Sequence, residues 1–210
     1  MNTSKIIISA ISLASLMLPA SLHAEGGFDI NKVNLIVDWQ MNAPFSTNFA
    51  DNISGWGMNA ELTYSITPHW DAGAFISFHT NHKYIGRQTL QLSPSESLTT
   101  DQLRSAYQLP FGLTSSYVLY DGRNFKPYAG GKIGAMFVRN TTYYGASGIY
   151  DKQYGFYVSP EIGVRIYPQA TKKWGFHVAG YYSYATNKTL TLTHEIEGQN
   201  NVGFRLGMMF

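Results

Sequence analysis

Few residues in this 210-residue chain have the types and spacing to do chemistry. His79 and His82 form an H-x-x-H pair, and histidine is a common zinc ligand. On a strand, positions i and i+3 face opposite ways, so a shared metal would require a loop there. They read instead as polar residues at a strand end. Ser183 stands among Tyr181, Tyr182 and Tyr184. A serine hydroxyl becomes a nucleophile only with a base beside it, and tyrosines are poor substitutes. The expectation is therefore no catalytic residue, no metal and no cofactor. The N-x-S/T triplets at Asn52, Asn140 and Asn187 are too short to signify. What remains is a set of isolated charges, Asp38, Glu61, Lys132, Glu161, Arg165 and Arg205, each inside a stretch of alternating polarity.

Those stretches are the elements that must position the charges. Val202, Phe204, Leu206, Met208 and Phe210 are apolar, with Gly203, Arg205 and Gly207 between them. Period-two alternation of this kind marks a strand with one apolar face. Seven further segments repeat it. They are Val33–Met41, Trp56–Ile66, Ala72–Phe78, Leu109–Leu119, Ile133–Phe137, Phe156–Ile166 and Trp174–Tyr184. Short connections at Thr67–Trp70, Asp121–Phe125 and Gln169–Lys173 carry Pro, Gly or Asn nearby, as tight turns do. Longer polar connections at Ala43–Gly55, Gly86–Gln108, Thr141–Gln153 and Lys188–Gln199 read as loops, with a brief helix over Leu98–Tyr107.

Composition says which solvent the apolar faces meet. Charged residues are 13% of the chain, about half the roughly 25% of a soluble domain. Aromatics are 15%, with 15 tyrosines. An aqueous sandwich would not expose an apolar face on every strand, whereas a closed barrel in lipid must. The fold class expected is all-β: an eight-stranded antiparallel up-and-down transmembrane β-barrel. Trp70, Tyr128 and Trp174 beside the short turns, and Trp39, Trp56, Tyr154 and Tyr184 near the long loops, fit two interfacial girdles.

The first 24 residues read as a cleavable signal peptide. Lys5 is the positive start, Ile6 to Leu18 the apolar centre, and Ala24 the last residue before cleavage. That apolar run of about 13 residues is shorter than the roughly 20 a spanning helix needs. The mature barrel then runs over residues 25–210 with 14 basic and 13 acidic residues. Near-neutral charge without a basic patch argues against nucleic acid as a partner. The absence of cysteine rules out a disulfide scaffold and a lipidated N-terminal cysteine. An even strand count places both termini in the periplasm, with the long loops outside.

Eight strands enclose a lumen that side chains can fill. Asp38, Glu61, Lys132, Glu161 and Arg205 lie about five or six residues from the short-turn ends, which is close to mid-membrane at roughly 3.3 Å per residue and a tilt near 40°. Arg165 shares their inward phase. The expectation is a structural ion-pair belt in which Arg205 faces Asp38 across the closing seam and Lys132 faces Glu161.

The leader, the eight alternating segments, the stretch Lys126-Pro127-Tyr128-Ala129-Gly130-Gly131-Lys132-Ile133-Gly134 and the terminal Phe210 resemble the porin-like outer-membrane β-barrel superfamily. That group includes the barrels of outer-membrane proteins A and X and the opacity proteins. The resemblance implies an address in the cell outer membrane of a Gram-negative bacterium, among outer-membrane lipid and lipopolysaccharide. It also implies that Phe204, Leu206, Met208 and Phe210 form the C-terminal signal read by the outer-membrane assembly machinery. No periplasmic domain is expected after Phe210. Lipid A deacylases of this shape carry a histidine two residues from a serine, where this chain has tyrosine beside Ser183. Palmitoyltransferases carry an amphipathic helix before the barrel, for which Glu25–Lys32 is too short. The function expected is non-enzymatic, a structural or surface-contact role through four extracellular loops. A narrow porin-like channel is the first alternative and a lipid A-modifying hydrolase the second.

Overall fold

In the computed structural model, which describes residues 29–45, 47, 49–93, 95–145, 147–168, 174–191 and 194–210, eight strands follow one another in chain order. They are β1 (Val33–Phe45), β2 (Gly57–Ser65), β3 (Trp70–Ser93), β4 (Glu96–Val118), β5 (Phe125–Tyr144), β6 (Ser147–Ile166), β7 (Gly175–Thr191) and β8 (His194–Met209). Each pairs antiparallel with the next, and β8 pairs with β1 to close the barrel. The seam is well made. It pairs Ile36 through Phe45 with Met209 through Asn200, and backbone bonds between Leu35 and Phe210 extend it. Closure leaves no strand edge unpaired through the membrane, which is what lipid demands of a sheet. The proposed leader and the turn at Gln169–Lys173 lie outside the described residues.

The alternation read from sequence has a physical counterpart. Leu62, Leu113, Ile133, Ile162 and Val202 are exposed on the outer face, while Asp38, Asn59, Lys132, Ser159 and Arg205 are buried inside. Apolar outside and polar inside is the inverse of a soluble protein, and it fits lipid as the outer solvent. Along β4 and the residue that follows it the apolar face runs from Leu109 to Leu119. Ten residues at roughly 3.3 Å and a tilt near 40° give about 25 Å, the height of a lipid-facing band. The fold is thus an eight-stranded antiparallel transmembrane β-barrel. Among the described residues no helix is long and apolar enough to cross a membrane.

Three of the four long connections depart from the expectation. The described residues of Gly86–Gln108, Thr141–Gln153 and Lys188–Gln199 are strand apart from the turn residues Ser95 and Gly145, and Leu98–Tyr107 belongs to β4 rather than to a helix. β3 and β4 stay paired out to Ser93 and Glu96, β5 and β6 to Tyr144 and Ser147, and β7 and β8 to Thr191 and His194. Beyond the lipid both faces of such a hairpin are wet, so alternation is no longer imposed and the stretches look like polar loops. The described residues between β1 and β2 do form a loop. It is pinned by an Asn42–Ser54 bridge with backbone bonds of 2.8 and 2.9 Å.

Tyr128 is a second correction. It does not join the aromatic girdle but points into the lumen, buried. Gly163, its register partner on β6, leaves room for the ring, because a Cβ there would come 2.7 Å from Tyr128 Cε1. Trp70, Trp39, Trp56, Tyr154 and Tyr184 do lie on the exterior.

Candidate functional site in the lumen and on the outer hairpins

The interior is filled in layers. Nearest the short turns, Arg165 of β6 pairs with Asp71 of β3, and its guanidinium also donates to Ser116 Oγ at 2.7 Å. Ser65 Oγ donates to the other Asp71 oxygen at 2.6 Å. The Arg165 guanidinium lies 4.8 Å from the Tyr128 ring centroid. Arg165 therefore belongs to a layer of its own, separate from the mid-barrel charges. Sequence reasoning did not pick out Asp71, although its inward phase directly after Trp70 was legible.

The mid-barrel layer joins two anions and two cations. Lys132 Nζ sits 2.9 Å from Glu61 Oε1 and pairs also with Glu161. Arg205 of β8 pairs with the same Glu161 oxygen, reaching past β7. Its Nε donates to Gln40 Oε1 at 2.9 Å, and its guanidinium stacks 4.0 Å from the Tyr181 ring centroid. Every member is buried. Charges removed from water are tolerable only when paired and hydrogen-bonded, and here each is.

Arg205 does not meet Asp38, contrary to the pairing expected. The β1–β8 register sets Arg205 against Gln40 and Asp38 against Gly207. The long guanidinium arm instead reaches past β7 to Glu161 of β6. Asp38 instead meets His177 of β7, Oδ1 to Nδ1 at 2.7 Å, and accepts from Asn59 Nδ2 at 2.9 Å. The far nitrogen of His177 lies 2.7 Å from the Tyr128 hydroxyl, which is 3.0 Å from Glu161 Oε1. The Tyr128 hydroxyl donates to Glu161, and its contact with His177 joins the Asp38 pair to the mid-barrel charges.

Above this layer sits an apolar plug of Phe75, Met136, Val138, Tyr157 and Ala185, and beside it an amide network. His79 bridges Gln40 at 3.1 Å and Gln108 at 2.9 Å, while Asn42 donates to Asn81 at 2.8 Å and to Asn201 at 3.2 Å. His82 is exposed and lies on the other strand face from buried His79. Ser183 is buried inside the barrel, and its hydroxyl has no hydrogen-bond partner among the described residues. The loop caps the network, with Phe49 and Ala50 buried against Ala106. Lys83 Nζ to Asp51 Oδ2 at 2.6 Å and Arg104 at 5.6 Å from the Phe49 ring hold it there.

On the outside of β8, Leu206, Met208 and Phe210 are exposed, and Phe204 packs edge-on against Trp39 at 5.7 Å. Past the lipid band the hairpins carry exposed Tyr84, Tyr143, Ile149 and Tyr150.

No family model and no curated protein sequence matches the chain. Solved structures do. Neisserial surface protein A superposes with a TM-score of 0.51 at 14% identity, covering 85% of this chain and 96% of that one. Outer membrane protein OprG of Pseudomonas aeruginosa gives 0.45 at 12% identity, over 84% and 93% of the two chains. The attachment invasion locus protein of Yersinia pestis gives 0.44 at 12% identity, over 85% and 97%. At 14% identity the likeness to Neisserial surface protein A speaks to fold alone. The chain has the fold of the small eight-stranded outer-membrane β-barrels.

Proposed function

We propose that this chain is an integral outer-membrane protein whose barrel is a closed scaffold, without catalysis, for surface contact made by its projecting hairpins. The filled lumen carries the reading. Arg205, Glu161, Lys132 and Glu61 span it from wall to wall, and Phe75, Met136, Val138 and Tyr157 plug it above. A porin needs a water path, and barrels of this size are normally packed. The hairpins beyond the lipid are ladder-bonded and carry exposed tyrosines, residues suited to contact surfaces. Against a hydrolase stands Ser183, which lies inside the barrel rather than toward lipid and whose hydroxyl has no hydrogen-bonded base among the described residues. In this reading the short turns and both termini are periplasmic, and outer-leaflet lipid and lipopolysaccharide surround the band.

Single-channel recording on the refolded protein in planar bilayers tests it. A folded but silent barrel is expected. Discrete, reproducible steps would overturn the closed scaffold and favour a narrow channel. Mass spectra of lipid A from cells with and without the protein test the absence of catalysis, and a lost acyl chain would overturn it.

A further inference from the structure

The outer face carries one juxtaposition that neither the lumen nor the hairpin tips explain. Arg139 of β5 and Lys152 of β6 are direct register partners, both exposed on the outer face. Like charges directly opposite on neighbouring strands repel and weaken a sheet. Both nevertheless converge on one ring: the Arg139 guanidinium lies 4.9 Å and Lys152 Nζ 5.2 Å from the Tyr150 centroid. No carboxylate pairs with either side chain among the described residues. The adjacent Asp151 has the opposite strand phase and accepts from the Lys152 backbone N–H at 2.8 Å.

Height decides what the pair meets. One register step toward the short turns lie Leu109, Phe137 and Tyr154, the last row of the apolar band, with Phe137 and Tyr154 in ring contact at 5.1 Å. The row above is Tyr107, Arg139 and Lys152. The two cations therefore stand where acyl chains end and headgroups begin, facing sideways into the leaflet. The tyrosine ring between them restrains two flexible side chains before any ligand arrives, which lowers the entropy cost of binding.

The geometry points to Arg139, Tyr150 and Lys152 as a binding site for the phosphorylated sugar headgroup of a glycolipid in the outer leaflet. A phosphate monoester between the two cations would offset their repulsion and accept from both, the guanidinium in two-pronged fashion. This inference rests on the outer-membrane reading above and names the partner of one part of its lipid surface.

The full chain, reconstituted in phosphatidylcholine nanodiscs doped with bis-phosphorylated lipid A, tests it. Lipid A retained per barrel after detergent extraction is counted by native mass spectrometry. The wild type should retain it. The double variant Arg139→Gln/Lys152→Gln should lose about tenfold or more, as expected for two headgroup-level cations. Lys188→Gln, which removes an exposed cation already paired with Glu197 on another hairpin, should change nothing. Enzymatically dephosphorylated lipid A should be held poorly by the wild type. Unchanged retention in a double variant with wild-type heat-modifiable gel mobility would overturn the site. Equal retention of the dephosphorylated lipid would too. Release of lipid A by millimolar inorganic phosphate would make it a general anion site rather than a lipid one. Insertion without lipid A retention sinks this inference alone, whereas a wild type that fails to insert in any bilayer sinks the membrane reading with it.

Discussion

Asp38 of β1 and His177 of β7 meet at 2.7 Å although a whole strand, β8, lies between them. The residue they meet across is Gly207, the register partner of both. With no side chain there, the carboxylate and the imidazole close over the strand and tie the seam on its inner side. A Cβ at Gly207 would overlap the Val37 carbonyl and the Asp38 carboxylate. Gly207→Ala should therefore destabilise the barrel by about 2 kcal/mol or more, through strain and a broken buried network. Urea unfolding in lipid vesicles measures it, and a loss within experimental error of zero would mean the seam does not depend on this contact.

Glu161 is the point where the two cations of the lumen meet. Removing its charge with Glu161→Gln leaves Lys132 and Arg205 with Glu61 as the remaining mid-barrel carboxylate near them. A loss of about 3–5 kcal/mol is expected for breaking such a buried cluster from one side.

Arg205→Leu is expected to be costly for the complementary reason, since it removes one of the two cations paired with Glu161 and one of the donors to Gln40 Oε1. The two substitutions together should cost less than their sum, because the second removes a charge that the first had stranded. Strict additivity in a double-mutant cycle would show that the residues do not act as one network.

Thr89 and Thr99 are register partners on the extended β3–β4 hairpin, with hydroxyl oxygens 2.8 Å apart. The chain has no cysteine, so a paired substitution is unambiguous. Thr89→Cys/Thr99→Cys should form a disulfide in mild oxidant, since cross-strand neighbours meet the distance requirement. Thiols that stay free and separately reactive would indicate a loop there rather than a hairpin.

Phe49→Ala should loosen the cap without unfolding the barrel. The ring is buried against Ala106 and lies under Arg104. Hydrogen exchange at the bridging Asn42 and Ser54 amides should show local opening eased by about 1 kcal/mol or more. Amides of the β1–β8 seam should stay as protected as before. Equal acceleration at both places would make the cap part of the global unfolding unit.

The strands inside the lipid were legible because lipid outside and packed polar groups inside force period two on every strand. Val202 to Phe210 show that phase without a break, and it survives in the structure. The outer halves of β3, β4, β5 and β6 were not legible, because water on both faces removes the constraint that writes the pattern. Tyr128 misled for a related reason: a tyrosine near a turn suits the membrane interface, and only the glycine across from it on β6 makes an inward ring possible.

The same division holds for the charges. That Asp38, Glu61, Lys132, Glu161, Arg165 and Arg205 would face inward followed from the alternation alone, since the face of a strand residue is a local property. Which of them would touch was not local. The seam register placed Gly207, not Arg205, beside Asp38, and the length of its side chain let arginine reach past β7 to Glu161. The amino-acid sequence determined the strand count, the order and the face of each residue. Closure of the barrel decided the partners, because contacts across a lumen depend on register and diameter, which no single strand encodes.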